Sequence, residues 1–162
     1  MSISHSDVAA EHGKGLPAFP DEETARGELF RQRDQYLAML QEAGNAADAF
    51  QADFTPESLK TLEHWYFDLW ESQAFFEVGM GRSEFERAMG MYFGEVVVRN
   101  SAGFEWIVDA YTFEPGKYEI GVRRERLALM LMSLFADLFA RPNEKGKQGM
   151  WRMYDKYCGQ EA

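Results

Sequence analysis

Residues 104–122 contain the pattern that most limits how this chain can fold. Apolar residues occupy every second position over residues 104–110, which is the period of two expected for a β-strand with one buried face. Pro115 and Gly116 then favour a turn, because proline presets φ and glycine accepts a positive φ, and the alternation resumes over residues 118–122. An isolated β-hairpin is at best marginally stable in water, so this one must pack against other elements.

Two helices are predicted well before the hairpin. The first runs from residue 21 or 24 to about residue 43 and ends at Gly44, a residue typical of a helix C-cap. The second has Thr55 in the N-cap position and Pro56 at its first helical position. Its apolar spacing continues to Phe76, and the glycines at positions 79 and 81 interrupt it.

A third helix is predicted immediately before the hairpin, and further helices after it. The third opens with a capping box formed by Ser83 and Glu86 and continues to about residue 100. Gly90 and Gly94 lie four residues apart on it, which predicts that another element packs closely there. A fourth helix is predicted over residues 123–140, ended by Pro142, and a short terminal helix over residues 150–157.

The predicted fold class is therefore α+β and predominantly helical. Its order is three helices, then a β-hairpin, then one or two C-terminal helices. Residues 1–20 are predicted to form a flexible leader, and residues 21–162 a single α+β domain, because no repeat or domain boundary interrupts them.

Several features favour a cytoplasmic protein that neither enters nor binds a membrane. The longest apolar stretch, residues 127–139, is interrupted by Ser133 and Asp137 and is shorter than the roughly 20 residues of a spanning helix. Residues 1–13 have no basic region followed by an apolar region, so no secretory signal is expected. Cys158 is the only cysteine, which precludes an internal disulfide and fits a reducing compartment.

The charge is distributed unevenly between the two halves of the chain. Residues 1–80 hold 5 Lys and Arg against 15 Asp and Glu, whereas residues 81–162 hold 12 of each. The net charge of −10 therefore belongs to the first half. An acidic surface repels phosphate backbones, which argues against nucleic-acid binding, and it attracts a basic protein partner. The alternative is that the acidity only keeps the protein soluble.

The second helix has an unusually wide apolar side. At 100° per residue it covers an arc of roughly 200°, whereas a surface helix typically buries a stripe of about 100°. The arc contains Trp65, Leu69, Leu62, Tyr66, Leu59, Trp70 and Phe67. Either this helix lies at the centre of the fold, or Trp65 and Trp70 contact a partner or a second copy of the chain.

Two carboxylates are predicted on apolar helix faces. Glu63 lies within the arc, and Glu95 lies on the apolar side of the third helix, with Arg99 one turn further on. Loss of hydration raises the pKa of such a carboxyl unless a cation or hydrogen-bond donors compensate. Glu63, Glu95 and Arg99 are thus candidate binding residues. The alternative is two internal ion pairs, Glu95 with Arg99 and Glu63 with an arginine of the basic cluster at residues 123–126.

No metal site, cofactor site or catalytic residue is assigned. His64, Asp68 and Glu71 share a helix face, but that face is polar, and His5 and His12 lie in the leader. Phosphate loops, nucleophile elbows and dinucleotide fingerprints are not found in the sequence.

Residues 91–96 and 104–106 carry a resemblance to known proteins. A helix with Tyr92, Gly94 and Glu95 precedes a strand with Trp106, and over residues 80–125 this pattern resembles one in small bacterial proteins of unknown function. Some of those proteins are similar to toxin-immunity proteins. The resemblance implies an α+β fold and a noncatalytic binding role, and it transfers no catalytic residues.

Three hypotheses for the function follow. The first is a noncatalytic protein-binding module, of which an immunity-type inhibitor of a basic partner is one form. The second is a small-molecule-binding protein with a pocket between the second and third helices, near Glu63 and Glu95. The third is an enzyme that uses these two carboxylates as acid and base, which requires that both converge on one pocket.

Overall fold

The computed structural model describes residues 13–140 and 144–159, and within them five α-helices and one three-stranded antiparallel sheet. The helices are α1 (Glu22–Ala47), α2 (Ser58–Ser72), α3 (Arg82–Asn100), α4 (Leu134–Phe139) and α5 (Gly149–Tyr157). The strands are β1 (Glu105–Ala110), β2 (Tyr118–Arg124) and β3 (Leu127–Met130), and a 3₁₀ turn spans Phe75–Val78. The predicted α+β class is confirmed. His5, His12 and Pro142 lie outside the described residues.

Helix α1 begins as predicted but continues beyond Gly44. The Asp21 side chain caps it, accepting a hydrogen bond from the Thr24 N–H at 2.7 Å. The helix ends only where Asp48 takes a left-handed conformation with φ of 50°. Gly44 is instead buried inside the helix, where a β-carbon would collide with the backbone of Phe50. The glycine therefore lets the chain fold back against α1 rather than ending the helix.

Helix α2 is shorter than predicted at both ends. A turn precedes it, in which the Thr55 hydroxyl accepts a hydrogen bond from the Ser58 N–H at 3.2 Å. It ends where Gln73 takes a φ of 56°, so the chain leaves the helix before Phe76. The Phe76 side chain is 79% exposed, and the prediction that it joins the apolar side of this helix is wrong.

Helix α3 lies at the centre of the fold. It contacts α1, α2, α4, α5 and the sheet. The predicted capping box at its start is wrong, because Gly81 is the N-cap residue and the side chain of Glu86 turns into the protein. Both predicted glycine contacts are present: a β-carbon on Gly90 would meet the Leu131 carbonyl, and one on Gly94 would meet the Trp106 ring.

The predicted hairpin forms and is extended by a third strand. The strand order is β1-β2-β3, with Val108 opposite Ile120 and Val122 opposite Leu129. The buried faces of β1 and β2 pack against α1 through Ala25 and Leu29. The hairpin thus obtains from the helices the stabilisation that it lacks alone.

The predicted helix over residues 123–140 is wrong. The chain completes β2, turns at Glu125, which has φ of 55°, and returns as β3 before the short helix α4. Leu127, Leu131 and Leu134 have helical spacing, but the first lies in a strand and only the last in a helix. Residues 127–130 pair with β2 across the turn at Glu125, and this sheet pairing overrides the helical spacing of the apolar residues.

Part of the segment predicted as the leader contacts the hairpin. Leu16 is buried, and Ala18 forms an isolated antiparallel bridge with Lys117. The Phe19 N–H donates to the Gly116 carbonyl at 2.9 Å. Across the described ranges, no helix has both the length and the apolar character that crossing a membrane requires.

Candidate functional site

Glu63 points from α2 towards the start of α5. Its side chain is buried, with the residue 3% exposed, and Oε1 accepts a hydrogen bond from the Met150 N–H at 3.1 Å. Burial raises the pKa of the Glu63 carboxyl above its ordinary value, while backbone N–H groups at the start of α5 act in the opposite direction. The partner of Glu63 is thus the backbone of α5, and the predicted pairing with the basic cluster is wrong. Here Glu63 acts as a helix cap supplied by another element.

Glu95 makes the other predicted ion pair. Oε1 accepts a hydrogen bond from Arg99 Nε at 3.0 Å, and Oε2 accepts one from Trp106 Nε1 at 3.1 Å. The Arg99 guanidinium also lies 3.8 Å from the centre of the Phe54 ring. Glu95 therefore contacts β1, whereas Glu63 contacts α5, and the two carboxylates have no hydrogen-bond partner in common.

Trp65 and Trp70 occupy different environments. Trp65 is 5% exposed and packs between the rings of Phe50 and Phe85, at centroid distances of 6.0 and 5.1 Å. Trp70 is half-buried, and the guanidinium of Arg82 lies 3.6 Å from its ring centre. Most of the predicted aromatic arc therefore serves the core, and the edge of Trp65 reaches a surface groove.

A buried polar cluster was not recognised from the sequence. The Tyr66 hydroxyl donates to Glu86 Oε2 at 2.5 Å and accepts from Arg82 Nε at 3.1 Å. Burial, followed by the hydrogen bond to Glu86, raises the pKa of Tyr66, so its hydroxyl stays protonated at neutral pH. Glu86 lies three residues before Met89 and seven before Phe93, so it shares the apolar face of α3, and this spacing could have revealed the cluster. Its spacing from Ser83 predicted helix capping instead.

The polar face of α2 does not assemble a metal site. His64 Nε2 lies 3.3 Å from Asp68 Oδ2, with both side chains exposed, and Glu71 pairs with Lys145. In the part of the chain that the structure describes, no three His, Cys, Asp or Glu side chains are grouped so as to hold a metal ion.

A groove with a volume of about 660 Å³ lies between α1 and α2. The 3₁₀ turn contributes to its wall. We call it the α1–α2 groove, and the following residues line it: Met39, Glu42, Ala43, Ala46, Ala47, Ala49, Trp65, Asp68, Leu69, Ser72, Ala74, Glu77 and Val78. Its floor, which consists of the buried lining residues Trp65, Leu69 and Ala74, is apolar. All of its ionisable lining residues are acidic.

The electrostatics of the α1–α2 groove favour a cationic ligand. Glu42, Asp68 and Glu77 line it, and no Lys or Arg does. Glu42 and Glu77 form no ion pair with any other described residue. Helices α1 and α2 both end at the groove, at Ala47 and Ser72, and neither has a basic residue in its last turn. Their C-terminal dipoles therefore add partial negative charge that no cation of either last turn offsets.

Comparison with known proteins gives a family. The family model described as "Uncharacterised protein YwmA" matches residues 18–158. A protein of Bacillus subtilis (strain 168) named "Uncharacterized protein YwmA" is 28% identical over 144 residues, which cover 89% of this chain and 91% of that protein. No solved structure matches the chain significantly. The match supports the predicted resemblance to small bacterial proteins, and neither name mentions immunity. Because the family model spans most of its length, the chain belongs to the YwmA family.

Proposed function

We propose that this protein is a noncatalytic protein-binding module that receives a basic partner in the α1–α2 groove. The observation that carries the proposal is the combination of an apolar floor with exclusively acidic ionisable lining residues. Apolar burial would supply affinity, and the acidic rim would accelerate encounter and select for a basic surface. This surface lies within residues 1–80, the half of the chain that holds the excess negative charge.

Two further observations favour binding over catalysis. Glu63 and Glu95 are each engaged by other elements, so they do not form an acid–base pair across one pocket. Where α2 and α3 meet, the rings of Tyr66 and Phe85 lie 6.0 Å apart, so aromatic contacts pack these two helices against each other.

We extend the proposal to two finer points. One form of such a binder is an immunity-type inhibitor, which neutralises a basic partner by covering it. The acidic lining of the groove supports this form of the proposal. We also propose a cytoplasmic location, because Cys158 is the only cysteine of the sequence and is a buried free thiol, which fits a reducing compartment.

Affinity capture with matched charge variants tests the proposal. The groove variant is Glu42→Gln with Glu77→Gln. The control is Glu105→Gln with Glu125→Gln, which removes the same charge from exposed positions of β1 and of the β2–β3 turn. Wild type and both variants are used as bait in extracts of the source cell. Each captured protein is then purified and titrated at about 50 mM and about 500 mM salt, because salt screens exposed charges.

The expected result is a basic protein that binds wild type and the control alike, binds the groove variant at least about tenfold more weakly, and dissociates at high salt. Equal binding to both variants would show that net charge alone attracts the partner. That result, or the capture of no salt-sensitive protein, would overturn the proposal.

A further inference from the structure

We infer that the partner enters the α1–α2 groove as a single amphipathic α-helix, with its apolar face against the floor and Lys or Arg residues along its flanks. This inference rests on the proposed function and adds the form and chemistry of the partner segment.

The spacing of the lining residues shows that each wall is one helical face. From α1 these are residues 39, 42, 43, 46 and 47, and from α2 residues 65, 68, 69 and 72. Both sets follow the i, i+3, i+4, i+7 pattern of a single helix face. The eight residue steps from Met39 to Ala47 rise about 12 Å at about 1.5 Å per step, so the walls are a little over two turns long. A third helix of two to three turns matches this length.

The size of the lining side chains suits a helix as well. Three of the five α1 lining residues are Ala43, Ala46 and Ala47, and such small residues let another helix approach closely. Leu69 and Val78 supply apolar surface opposite them. Phe76 belongs to the same 3₁₀ turn as Val78, and its ring is exposed. An occupant with apolar residues at i, i+3, i+4 and i+7 would bury them here.

An extended peptide does not fit these walls. Strand addition requires the unpaired N–H and C=O groups of a sheet edge. The groove is walled by α1, α2 and the 3₁₀ turn, in which the helical backbone bonds internally, and no residue of β1, β2 or β3 lines it. Side chains must therefore provide the contacts, as they do when a helix lies in a groove.

The charges select a basic helix and disfavour a second copy of the chain. Glu42 lies on the α1 wall, Asp68 on the α2 wall and Glu77 on the 3₁₀ turn, so acidic groups lie on all sides of the floor. Lys or Arg on both flanks of a bound helix would face them. A second copy carries a net charge of −10, and its docking would bring like charges together.

A peptide titration followed by ¹H–¹⁵N NMR on the full chain tests this inference. The probe is a designed peptide of about 14 residues, of a length that forms several helical turns, with leucine on one face and lysine on the other. One control has the same composition in scrambled order, and a second has glutamate in place of lysine. Two protein variants accompany them: Ala46→Arg introduces a cation inside the groove, and Ala38→Arg adds the same charge at an exposed position of α1 outside it.

We expect chemical-shift changes at Ala43, Ala46, Leu69 and Val78 on addition of the amphipathic basic peptide. Binding should weaken at least about tenfold with the scrambled peptide or with Ala46→Arg, and should persist with Ala38→Arg. Equal binding of the scrambled peptide, or shifts that map elsewhere, would overturn the helix inference. If the peptide test fails in either way but binding of the captured partner still depends on Glu42 and Glu77, only the inferred helical form of the partner is wrong. If binding of the captured partner does not depend on Glu42 and Glu77 either, the proposed function fails too.

Discussion

Replacement of Gly90 by alanine probes the closest contact between α3 and the segment that follows the sheet. A β-carbon on Gly90 would lie closer than 3.0 Å to the carbonyl oxygen of Leu131. That oxygen belongs to the backbone, and the Leu131 N–H is held by the Ile120 carbonyl at 3.1 Å, so the segment cannot retreat without losing this hydrogen bond. The added methyl group must therefore displace α3 or the end of β3.

The expected change in the free energy of unfolding of Gly90→Ala follows from two opposing effects. Alanine in place of glycine inside a helix stabilises by about 0.5–1 kcal/mol, whereas overpacking of a core costs about 1–3 kcal/mol. Because the obstructing atom is backbone, we expect the upper part of that range and a net loss of about 2 kcal/mol. For a chain of this size, the loss lowers Tm by roughly 4–8 °C.

Thermal and urea unfolding followed by circular dichroism measure the effect. Gly27→Ala on α1 is the matched control, because no atom lies within 4 Å of its added β-carbon. The control should be more stable than wild type by about 0.5–1 kcal/mol. A Gly90→Ala variant as stable as wild type, beside a stabilised Gly27→Ala, would refute the close packing of α3 against Leu131.

Four further predictions concern three other residues of the molecule. Glu63→Ala should lower the free energy of unfolding by about 1–3 kcal/mol, because it leaves the buried Met150 N–H without its acceptor. Glu63→Gln keeps an acceptor. The pKa of Glu63 is raised in the folded protein, so folding disfavours the charged carboxylate. The free energy of unfolding of wild type should therefore fall relative to that of Glu63→Gln as the pH rises from about 4.3 through the folded pKa. Chemical denaturation of both proteins from about pH 4 to about pH 8 measures this difference. Tyr66→Phe should cost about 1.5–3 kcal/mol in the same assay, because it removes a hydrogen bond to the buried Glu86 carboxylate. Phe76→Ser should change stability by less than about 0.5 kcal/mol and should weaken binding of the captured partner in a calorimetric titration.

Local patterns predicted the elements that depend on local interactions. The alternation at Val108 and Ile120 identified the hairpin because both residues lie on one buried face. Asp21 marked the start of α1 because its side chain caps the adjacent backbone. The prediction of a helix over residues 123–140 failed because no turn signal in the sequence marks the β2–β3 hairpin. β3 pairs with β2 through Val122 and Leu129, and its turn at Glu125 lacks the glycine or asparagine that usually indicates a tight hairpin.

The candidate site was predictable only in part, because its contacts join residues that are far apart in the sequence. Burial of Glu63 followed from its place on an apolar face, but its partner at Met150 is 87 residues away and belongs to a helix that could be positioned only in three dimensions. Glu86 likewise had a plausible local role in capping, which its hydrogen bond to Tyr66 replaces. The α1–α2 groove depends on how two helices pack, and sequence periodicity does not specify that arrangement.

Site-specific photocrosslinking tests most directly whether the α1–α2 groove binds a basic protein. A photoreactive phenylalanine analogue replaces Ala46 inside the groove, or Ala38 on the same helix outside it, and the full chain is irradiated in the source cell. We expect one major adduct from position 46, with the crosslinked peptide mapping by mass spectrometry to a helix rich in Lys or Arg, and none from position 38. Equal adducts from both positions, or no adduct from position 46, would contradict binding at this groove.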